Sequence, residues 1–528
     1  MSAHVDSFVR DRLPPAALLP DFRFDLPELR YPERLNTAAE LMRGGEPDAP
    51  AVVNDAGCWS YAEMDGLSDR IARLLTDEEG LVPGNRVLLR GPNTAVMFAA
   101  WLGILKAGGV VVATMPMLRA GEVRTILDKA AVSHAIVDAR SLADFAVALG
   151  GSGVRSTLVY DGDAGTGPLE RRLTEVAPGW APCPTRADDP ALIAFTSGTT
   201  GAPKGCVHLH RDVLAPADSF ARHVLQPRPG ERWACSAPIA FTFGLGMLLI
   251  FPWRFGGTAV TVEQPGPRPL LEAVARHRVT TLATAPTAYR AMLPLLAEHD
   301  ISSLRTCVSA GEHLPAATWR AWQEATGLRI VDGIGGTELM HIFISASGDD
   351  IRPGATGKAV PGYRATVLDA DGQAQAAGTG RLAIRGPTGC RYLDDPRQAA
   401  YVRDGWNVTG DTYRLDEDGY FWFVARSDDM IVSAGYNIAA PEVENALLSH
   451  PAVQECAVIG TPCASRGQKV AAFVVPAVGA APGPELAAAL QAHVKQAIAP
   501  YKYPREIAFV DALPKTATGK LQRFALRA

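Results

Sequence analysis

The chain has 528 residues, of which 47% are hydrophobic and 20% charged, a composition that allows a large core and excludes wholesale disorder. Its length predicts two to four domains. Because 51 Lys and Arg stand against 56 Asp and Glu, the formal net charge is -5. That balance excludes a general nucleic-acid binder but leaves room for a local basic patch around a phosphorylated small molecule. The eight cysteines include no C-x-x-C pair, so we expect reduced thiols that are mostly buried.

Short apolar runs alternate with amphipathic helical patterns through the first half of the chain. We expect buried strands at Val87–Leu89, Gly109–Ala113, Ala135–Val137 and Leu192–Phe195, and helices at Glu122–Ala131 and Leu270–Val279. This alternation predicts an α/β fold with helices layered on largely parallel sheets. The N-terminal segment carries charges where a secretory leader needs an apolar core, and the longest apolar stretch, Val96 to Met117, is interrupted by Lys106. We therefore expect a soluble cytoplasmic protein without a membrane-spanning segment.

Two changes of pattern predict the domain boundaries. Between about 350 and 427, Gly- and Pro-rich turns separate short alternating runs such as Arg381–Arg385 and Tyr420–Val424, which indicates a small β-rich module. Further on, a helix start at Pro441 is followed by strand patterns. An apolar stripe at i+4 spacing comes last, formed by Leu486, Leu490, Val494 and Ile498. We expect a large domain over 1–427, which includes the module, and a small α+β domain over 428–528.

An apolar strand, Ala191–Phe195, runs directly into a loop, Thr196–Gly205, that is rich in hydrogen-bond donors. The ten loop residues include four hydroxyls, three glycines and one lysine. Glycine backbones allow close approach, N–H groups and hydroxyls can surround phosphate oxygens, and Lys204 can add a point charge. The loop is not of the G-x-x-x-x-G-K-[ST] type, because its lysine follows a proline and no helix-opening Ser or Thr comes next. Taken alone, the segment also fits a flexible polar surface loop.

Further motifs follow this loop along the chain. They are Ser309–Glu312, Asp332–Glu338, Gly405–Asp411, Arg426–Ile431 and Pro514–Lys520. With the loop and these five motifs in order, the chain resembles the adenylate-forming enzymes, which include acyl- and aryl-CoA ligases, peptide-synthetase adenylation domains and beetle luciferases. The resemblance covers most of the chain. It implies a large N-terminal α/β domain, a small mobile α+β C-terminal domain, and the use of ATP, Mg²⁺ and CoA.

The resemblance also implies an ATP site built from these motifs. Its residues would be Thr196, Ser197, Gly198, Thr199, Thr200, Lys204, Gly311, Glu312, Asp332, Gly333, Thr337, Asp411, Arg426 and Lys520. Asp411 matches the family's ribose-binding aspartate with Arg426 as its partner, and the segments at Glu312 and Asp332 match its adenine contacts. Activating a carboxylate with ATP brings three anions together, so catalysis rests on positioning and charge neutralisation. The catalytic residues implied are Thr196, Lys204, Glu338 and Lys520.

Two of these side chains have simpler interpretations. Glu338 matches the family's metal-facing carboxylate, and one carboxylate suffices because Mg²⁺ takes its other ligands from phosphates and water. Its alternative is a solvated loop glutamate. Lys520 matches the lysine that contacts both the substrate carboxylate and the α-phosphate. By position alone, on a Thr-Gly-Lys turn near the end of the sequence, it would be a solvated charge.

The small domain of this family rotates between adenylation and thioester formation. By resemblance, Asp428 is the hinge residue, because a few residues at the end of an element can absorb a large backbone change. Ser433, Ala434 and Gly435 would line the thiol tunnel after rotation. Many family members have a second glycine at the position of Ala434, so the added methyl group bears on the thiol path and not on adenylate formation.

The acid pocket implied by the resemblance comes from two segments of the chain, one around Phe241 and the other from Gly333 to His341. Its residues would be Phe241, Phe243, Gly333, Ile334, Gly335 and His341. Phe241 or Phe243 could stack on an aryl ring, and His341 could offer a polar edge to a ring substituent. The alternatives are core phenylalanines and a structural histidine. The overall likeness is to benzoate- and 2-aminobenzoate-CoA ligases, which favours a short planar acid and, by a small margin, 2-aminobenzoate (anthranilate).

The leading hypothesis is an aryl-CoA ligase that forms aryl-CoA, AMP and pyrophosphate from an aryl acid, ATP and CoA through an aryl-AMP intermediate. A freestanding adenylation enzyme that loads a carrier-protein thiol is the nearest alternative. A luciferase-like oxygenase and an inactive binding protein are more remote, because no Ser-Lys-Leu ending is present and Lys520, Glu338 and Asp411 are all retained. We expect a monomer or homodimer that binds neither nucleic acid nor membrane.

Overall fold

The computed structural model describes residues 2–163, 165–196, 203–426, 430–433, 436–463, 467–515 and 521–526. Strands of the first 209 residues are β1 (Pro50–Asn54), β2 (Gly57–Ser60), β3 (Arg86–Arg90), β4 (Val110–Thr114), β5 (His134–Asp138), β6 (Ser156–Tyr160), β7 (Pro190–Thr196) and β8 (Lys204–Leu209). Helices of this part are α1 (Thr37–Met42), α2 (Tyr61–Arg73), α3 (Ala95–Lys106), α4 (Ala120–Lys129), α5 (Leu142–Leu149) and α6 (Pro168–Glu175). The strands and the helix predicted from hydrophobic pattern in this part are confirmed.

The next 150 or so residues continue the alternation. Helices here are α7 (His210–Pro216), α8 (Thr242–Leu245), α9 (Phe251–Arg254), α10 (Pro267–His277), α11 (Pro286–Met292) and α12 (Ala316–Thr326). Strands here are β9 (Arg232–Cys235), β10 (Thr258–Val260), β11 (Thr281–Thr284), β12 (Thr306–Ser309), β13 (Ile330–Gly335), β14 (Ile342–Ser345) and β15 (Lys358–Ala359). π-Helical turns at Ala217–Leu225 and Gly246–Ile250 extend α7 and join α8 to α9.

The remaining elements form two smaller sheets. Residues 364–426 contain β16 (Arg364–Leu368), β17 (Ala374–Gln375), β18 (Gly378–Arg385), α13 (Gln398–Tyr401), β19 (Val402–Arg403), β20 (Trp406–Leu415) and β21 (Phe421–Arg426). The last hundred residues contain β22 (Met430–Ser433), β23 (Tyr436–Ala439), α14 (Ala440–Leu448), β24 (Val453–Cys463), β25 (Gly467–Pro476), α15 (Pro484–Ala497) and β26 (Glu506–Phe509). Helix α15 buries Leu490 and Val494 of the predicted stripe but ends one residue before Ile498.

Two largely parallel sheets organise the first 360 residues. One has the strand order β15-β14-β13-β12-β11-β9-β10-β1-β2 and the other β6-β5-β3-β4-β7-β8. Antiparallel pairing is confined to the edges, at β1–β2, β13–β14–β15 and β7–β8. The predicted α/β class with layered parallel sheets is therefore confirmed. The β-rich module is an antiparallel sheet, β17-β16-β18-β20-β19 with β21 on β20. Its strands begin at Arg364 and not near 350, because β15 pairs with β14 of the larger sheet.

Helix α3 accounts for much of the long apolar stretch. All of its residues are buried, and Phe98 meets Trp253 of α9 edge to face with ring centroids 5.9 Å apart. Lys106 at its end is 1% exposed and binds Asp69 at 2.6 Å, so its charge is compensated inside the protein. In the part of the chain that the structure describes, no helix is both long and apolar enough to cross a membrane.

Candidate active site

The predicted phosphate loop joins two antiparallel strands. Thr196 is the last residue of β7, Lys204 is the first of β8, and the two are register partners. The loop between them includes the predicted ligands Ser197, Gly198, Thr199 and Thr200, which lie outside the described residues. A strand–loop–strand connection differs from the strand–loop–helix of P-loop enzymes. The predicted phosphate site would therefore use loop donors and Lys204, and not a helix N-terminus.

Lys204 and Glu338 are linked through a third side chain, that of Tyr392. Lys204 Nζ donates to Tyr392 Oη at 3.1 Å, and Tyr392 Oη donates to Glu338 Oε1 at 2.5 Å. Tyr392 is only 1% exposed. No sequence motif points to this tyrosine, because its local surroundings, Gly-Cys-Arg-Tyr, carry no pattern of their own. Two residues predicted to be catalytic are thus brought together by a residue that the motifs do not contain.

Tyr392 reaches this place because its segment pairs with the outer edge of β8. Val207 N donates to Arg391 O at 2.8 Å, and Leu393 N donates to Gly205 O at 2.8 Å. Arg391 is 3% exposed and forms an ion pair with the fully buried Asp212 at 2.5 Å. A buried pair of this kind holds its segment in place, because removing either partner leaves a charge uncompensated.

Glu338 is presented by a glycine-rich turn at the end of β13. A Cβ on Gly333 would lie 2.7 Å from the Ile342 side chain, and one on Gly335 would lie 2.8 Å from His341 O. Both glycines are therefore required by the close approach of β14. The chain then enters a 3-10 turn, Thr337–Leu339, that carries the carboxylate.

His208 on β8 stabilises the same turn through a hydrogen bond. Its Nε2 lies 2.7 Å from Thr337 O, so the proton is on Nε2 and the ring donates. Burial lowers the pKa of His208 to about 4, which keeps the imidazole neutral at pH 7. Lys204, Cys206 and His208 alternate with Gly205 and Val207 along β8, so the first three share the face directed at Tyr392 and Thr337.

The predicted adenine contacts lie at the carboxyl ends of two adjacent parallel strands. Ser309 of β12 is the register partner of Asp332 of β13. Gly311 has φ +92°, a left-handed conformation that favours glycine, so the turn before Glu312 depends on this residue. Burial raises the pKa of Asp332 to about 8. Ligands of α/β proteins collect at this edge of a sheet, and the predicted segments therefore occupy a suitable position.

Asp411 and Arg426, predicted to hold the ribose, are neighbours across the β-rich module. They are register partners on β20 and β21, and Arg426 Nη1 lies 3.4 Å from Asp411 Oδ1. The Asp411 side chain is 15% exposed and that of Arg426 is 46% exposed. A solvent-accessible carboxylate beside a cation is chemically suited to accept hydrogen bonds from a sugar diol.

His341, predicted to border the acid, sits within a cluster of aromatic rings. Its centroid lies 5.6 Å from Phe243, 5.8 Å from Phe220 and 4.6 Å from Phe251. A Cβ on Gly246 would lie 2.4 Å from His341 Cδ2, so this glycine makes room for the ring. Phe220, in the π-helical turn, and Phe251, the first residue of α9, are absent from the predicted pocket, because neither segment carries a motif.

The imidazole of His341 is neutral and has a defined tautomer. Burial lowers the pKa of His341 to about 3. Its Nε2 lies 3.3 Å from Phe243 O and therefore carries the proton. Nδ1 is buried and has no hydrogen-bond partner among the described residues. Phe241 precedes α8 and is half-buried, and Ile334 of β13 is also half-buried, so each retains some accessible surface.

The last hundred residues contact the same region through α14 and β24. Asn445 Nδ2 lies 3.4 Å from His313 Nε2, and Arg290 Nη2 donates to Val453 O at 2.7 Å. His313 follows the Ser309–Glu312 motif and stacks on Phe423 at 5.3 Å. Of the residues predicted to line the thiol tunnel, Ser433 is 2% exposed on β22. Asp428, Ala434, Gly435 and Lys520 lie outside the described residues.

A metal ion at this site would depend on few protein ligands. Among the described residues, no group of three or more His, Cys, Asp or Glu side chains is arranged to hold a cation. Glu338 is a single half-exposed carboxylate at the end of the Lys204–Tyr392 chain. Mg²⁺ takes most of its ligands from phosphates and water in nucleotide sites, so this donor set fits Mg²⁺ and does not fit a structural zinc.

Comparison with known proteins identifies the family. The model of the AMP-binding enzyme matches residues 42–391, and that of the AMP-binding enzyme C-terminal domain matches residues 442–520. The chain is 39% identical to a benzoate–CoA ligase of Thauera aromatica, over 95% of this chain and 97% of the relative. A crystal structure of the anthranilate CoA ligase AuaEII with anthranoyl-AMP aligns with a TM-score of 0.91 and 34% identity, covering 95% of this chain and 98% of that one. A benzoate CoA ligase of Burkholderia xenovorans aligns with a TM-score of 0.86 and 34% identity, covering 94% and 100%.

Proposed function

The chain belongs to the AMP-binding enzyme family, and on that premise we propose that it is an aryl-CoA ligase acting on 2-aminobenzoate or benzoate. The reaction is an acid–thiol ligation in two steps. First, a carboxylate oxygen attacks the α-phosphate of ATP, which gives aryl-AMP and pyrophosphate. Then the thiolate of CoA attacks the acyl carbon, and AMP leaves as the thioester forms. The observation that carries the proposal is the Lys204–Tyr392–Glu338 arrangement beside an aromatic cluster around His341.

In the first step the protein positions and neutralises anions. We assign Thr196, Lys204 and the intervening loop to the phosphates, Asp411 and Arg426 to the ribose, and the turns at Glu312 and Asp332 to the adenine. Mg²⁺ supplies positive charge for the phosphates, and Glu338 is the carboxylate that would hold it. Lys520 is proposed to contact both the carboxylate and the α-phosphate, where a cationic donor stabilises charge that develops in the transition state.

In the second step the small domain turns about Asp428, which we propose as the boundary between residues 1–427 and 428–528. Ser433, Ala434 and Gly435 would then border the thiol path. The contacts of His313 with Asn445 and of Arg290 with Val453 belong to one orientation of the two parts. Two hydrogen bonds of this kind can be exchanged for another set at little cost, which suits an alternating domain.

The choice of acid rests on the cluster around His341. Phe243 is only partly buried and can offer its ring to a planar acid, whereas Phe220 and Phe251 are fully buried and pack on His341. Because Nε2 of His341 is occupied by Phe243 O, the remaining Nδ1 is an acceptor and suits a donor on the ring. An ortho-amino group is such a donor, whereas unsubstituted benzoate has none. This favours 2-aminobenzoate, and the relatives named benzoate–CoA ligase and anthranilate CoA ligase support the same class.

The test is a product assay with MgATP, CoA and a panel of benzoate, 2-aminobenzoate, 4-hydroxybenzoate, phenylacetate and octanoate, analysed by mass spectrometry. We expect aryl-CoA, with the highest yield from 2-aminobenzoate. Octanoyl-CoA as the main product would contradict the aryl assignment. Aryl-AMP without a thioester would identify a carrier-protein thiol as the acceptor instead of CoA, and Ala434 would then be the residue to replace by glycine.

A further inference from the structure

Glu338 is the end of a hydrogen-bonded chain that begins at the phosphate loop. The Tyr392 hydroxyl has one proton, which it donates to Glu338 Oε1 at 2.5 Å, so it accepts from Lys204 Nζ at 3.1 Å through a lone pair. We propose that Tyr392 is a positioning residue that fixes the Glu338 carboxylate for Mg²⁺ and couples it to Lys204. This inference rests on the proposed function, because it takes Glu338 as the magnesium ligand.

The ring of Tyr392 is held independently of its hydroxyl. It meets Tyr401 edge to face with centroids 5.8 Å apart, and it belongs to a small buried cluster with Cys206, Cys390 and Val402. Lys204 Nζ also lies 4.9 Å from the ring centroid. Phenylalanine at this position would keep these packing contacts. Removing the hydroxyl therefore separates the hydrogen-bonding role of Tyr392 from its packing role.

A glutamate side chain that is not fully buried has several rotamers, and holding one of them costs conformational entropy. A short hydrogen bond from a buried hydroxyl to a carboxylate selects one rotamer before the ion binds. Here the donor is almost fully buried, whereas Glu338 itself is half-exposed. The arrangement thus orients the carboxylate in advance, and its second oxygen, Oε2, would be the one to hold a bound Mg²⁺.

Lys204 and Glu338 are coupled because the two residues that hold the Glu338 turn, Tyr392 and His208, both lie at the β8 edge of the sheet. Tyr392 is the bridge partner of Cys206 on β8, and His208 on β8 donates to Thr337 O at 2.7 Å. Lys204, at the start of β8, ends the phosphate loop. A shift of Lys204 toward a bound phosphate is therefore transmitted to Glu338 through one hydroxyl, with the turn held still by His208.

The test compares Tyr392→Phe with the wild-type chain by two measurements. One is the affinity for MgATP by calorimetry, and the other is the Mg²⁺ concentration for half-maximal pyrophosphate release at saturating ATP and acid. Loss of one hydrogen bond to a charged group predicts an increase of about tenfold in the Mg²⁺ requirement and a weaker MgATP complex. The KM for the acid should stay unchanged. Tyr401→Phe is the matched control, because it removes a hydroxyl from the adjacent ring.

A double-mutant cycle with Glu338→Gln separates the two hypotheses. If Glu338→Gln leaves the Mg²⁺ requirement unchanged, the assignment of Glu338 in the proposed function fails. If Glu338→Gln raises the requirement but Tyr392→Phe behaves like the wild type, the positioning role of Tyr392 fails. When both act through one chain, Tyr392→Phe adds little in the Glu338→Gln background. If Tyr392→Phe instead lowered the melting temperature and worsened every kinetic constant to a similar degree, Tyr392 would have only a packing role.

Discussion

His208 donates its Nε2 proton to the backbone carbonyl of Thr337 at 2.7 Å, although 129 residues separate them in the sequence. The contact joins the strand that ends the phosphate loop to the turn that carries Glu338. It also explains why a histidine is found at a fully buried position. A neutral imidazole donates a hydrogen bond without placing a charge in the interior. Burial lowers the pKa of His208, so the ring is neutral at pH 7.

Acid should destabilise the protein through this histidine. An unfolded histidine has a pKa near 6.5, whereas burial lowers the pKa of His208 to about 4 in the folded chain. Between these values the unfolded state binds more protons, so stability is complete above pH 6.5 and falls as the pH drops toward 4. The shift corresponds to about 3 kcal/mol for one group. His208→Gln, which keeps a donor toward Thr337, should flatten this loss.

The measurement is the midpoint of thermal unfolding between pH 7.5 and pH 4.5 for the wild type and His208→Gln. Other buried histidines also contribute to this loss, because burial lowers the pKa of His210 and His341 to about 3 and only the unfolded chain binds their protons in this range. The variant is therefore expected to lose less stability than the wild type and not to become insensitive to pH. If the unfolding midpoints of the two proteins fell equally with pH, His208 would not be a source of the acid destabilisation.

Lys520→Ala should slow adenylation by about 10²- to 10³-fold, by analogy with the loss of one donor to a developing negative charge. Thioester formation from supplied aryl-AMP should change little, because the α-phosphate bond is already formed. The two half-reactions are measured separately, by pyrophosphate release and by mass spectrometry of the thioester. Lys515→Ala is the control, since Lys515 pairs with Glu455 at 2.7 Å and has no assigned role. Equal losses in both half-reactions would remove the proposed role of Lys520.

Asp428→Pro should have the opposite effect to Lys520→Ala, impairing thioester formation and sparing adenylation. Proline restricts the backbone at the position where we propose the rotation, so adenylation is retained and thioester formation is abolished. Pyrophosphate release in the absence of CoA serves as the internal check that the variant is folded and binds both substrates. Normal turnover to aryl-CoA would place the hinge at another residue.

His341→Ala should change the order of preference among ring-substituted benzoates. The variant loses the Nδ1 acceptor and the ring that packs on Phe243 and Phe251. We expect kcat/KM for 2-aminobenzoate to fall by about tenfold or more relative to benzoate, the range for one hydrogen bond. His341→Phe keeps an aromatic ring and isolates the contribution of the nitrogen atoms. If both variants kept the wild-type order of preference among the benzoates, His341 would have only a structural role.

Much of the site could be predicted because its motifs are contiguous and their chemistry is local. The loop Thr196–Gly205 shows its donors in the sequence itself, and Gly311 stands where φ is +92°. The pairing of Asp411 with Arg426 also follows from two motifs, which the structure places on adjacent strands. The helical segments that contain Phe220 and Phe251 have no such pattern, because any apolar helix could bury these rings.

The sequence by itself thus determined the fold class and the family, and it predicted the segments proposed to bind the nucleotide, since each motif consists of residues close together in the chain. Only the tertiary structure decided that Tyr392 lies between Lys204 and Glu338 and that His208 supports Thr337. The physical reason is strand register. Pairing β8 with the segment around Tyr392 aligns Cys206 with Tyr392. A shift of one residue would turn Lys204 and His208 to the opposite face of the sheet.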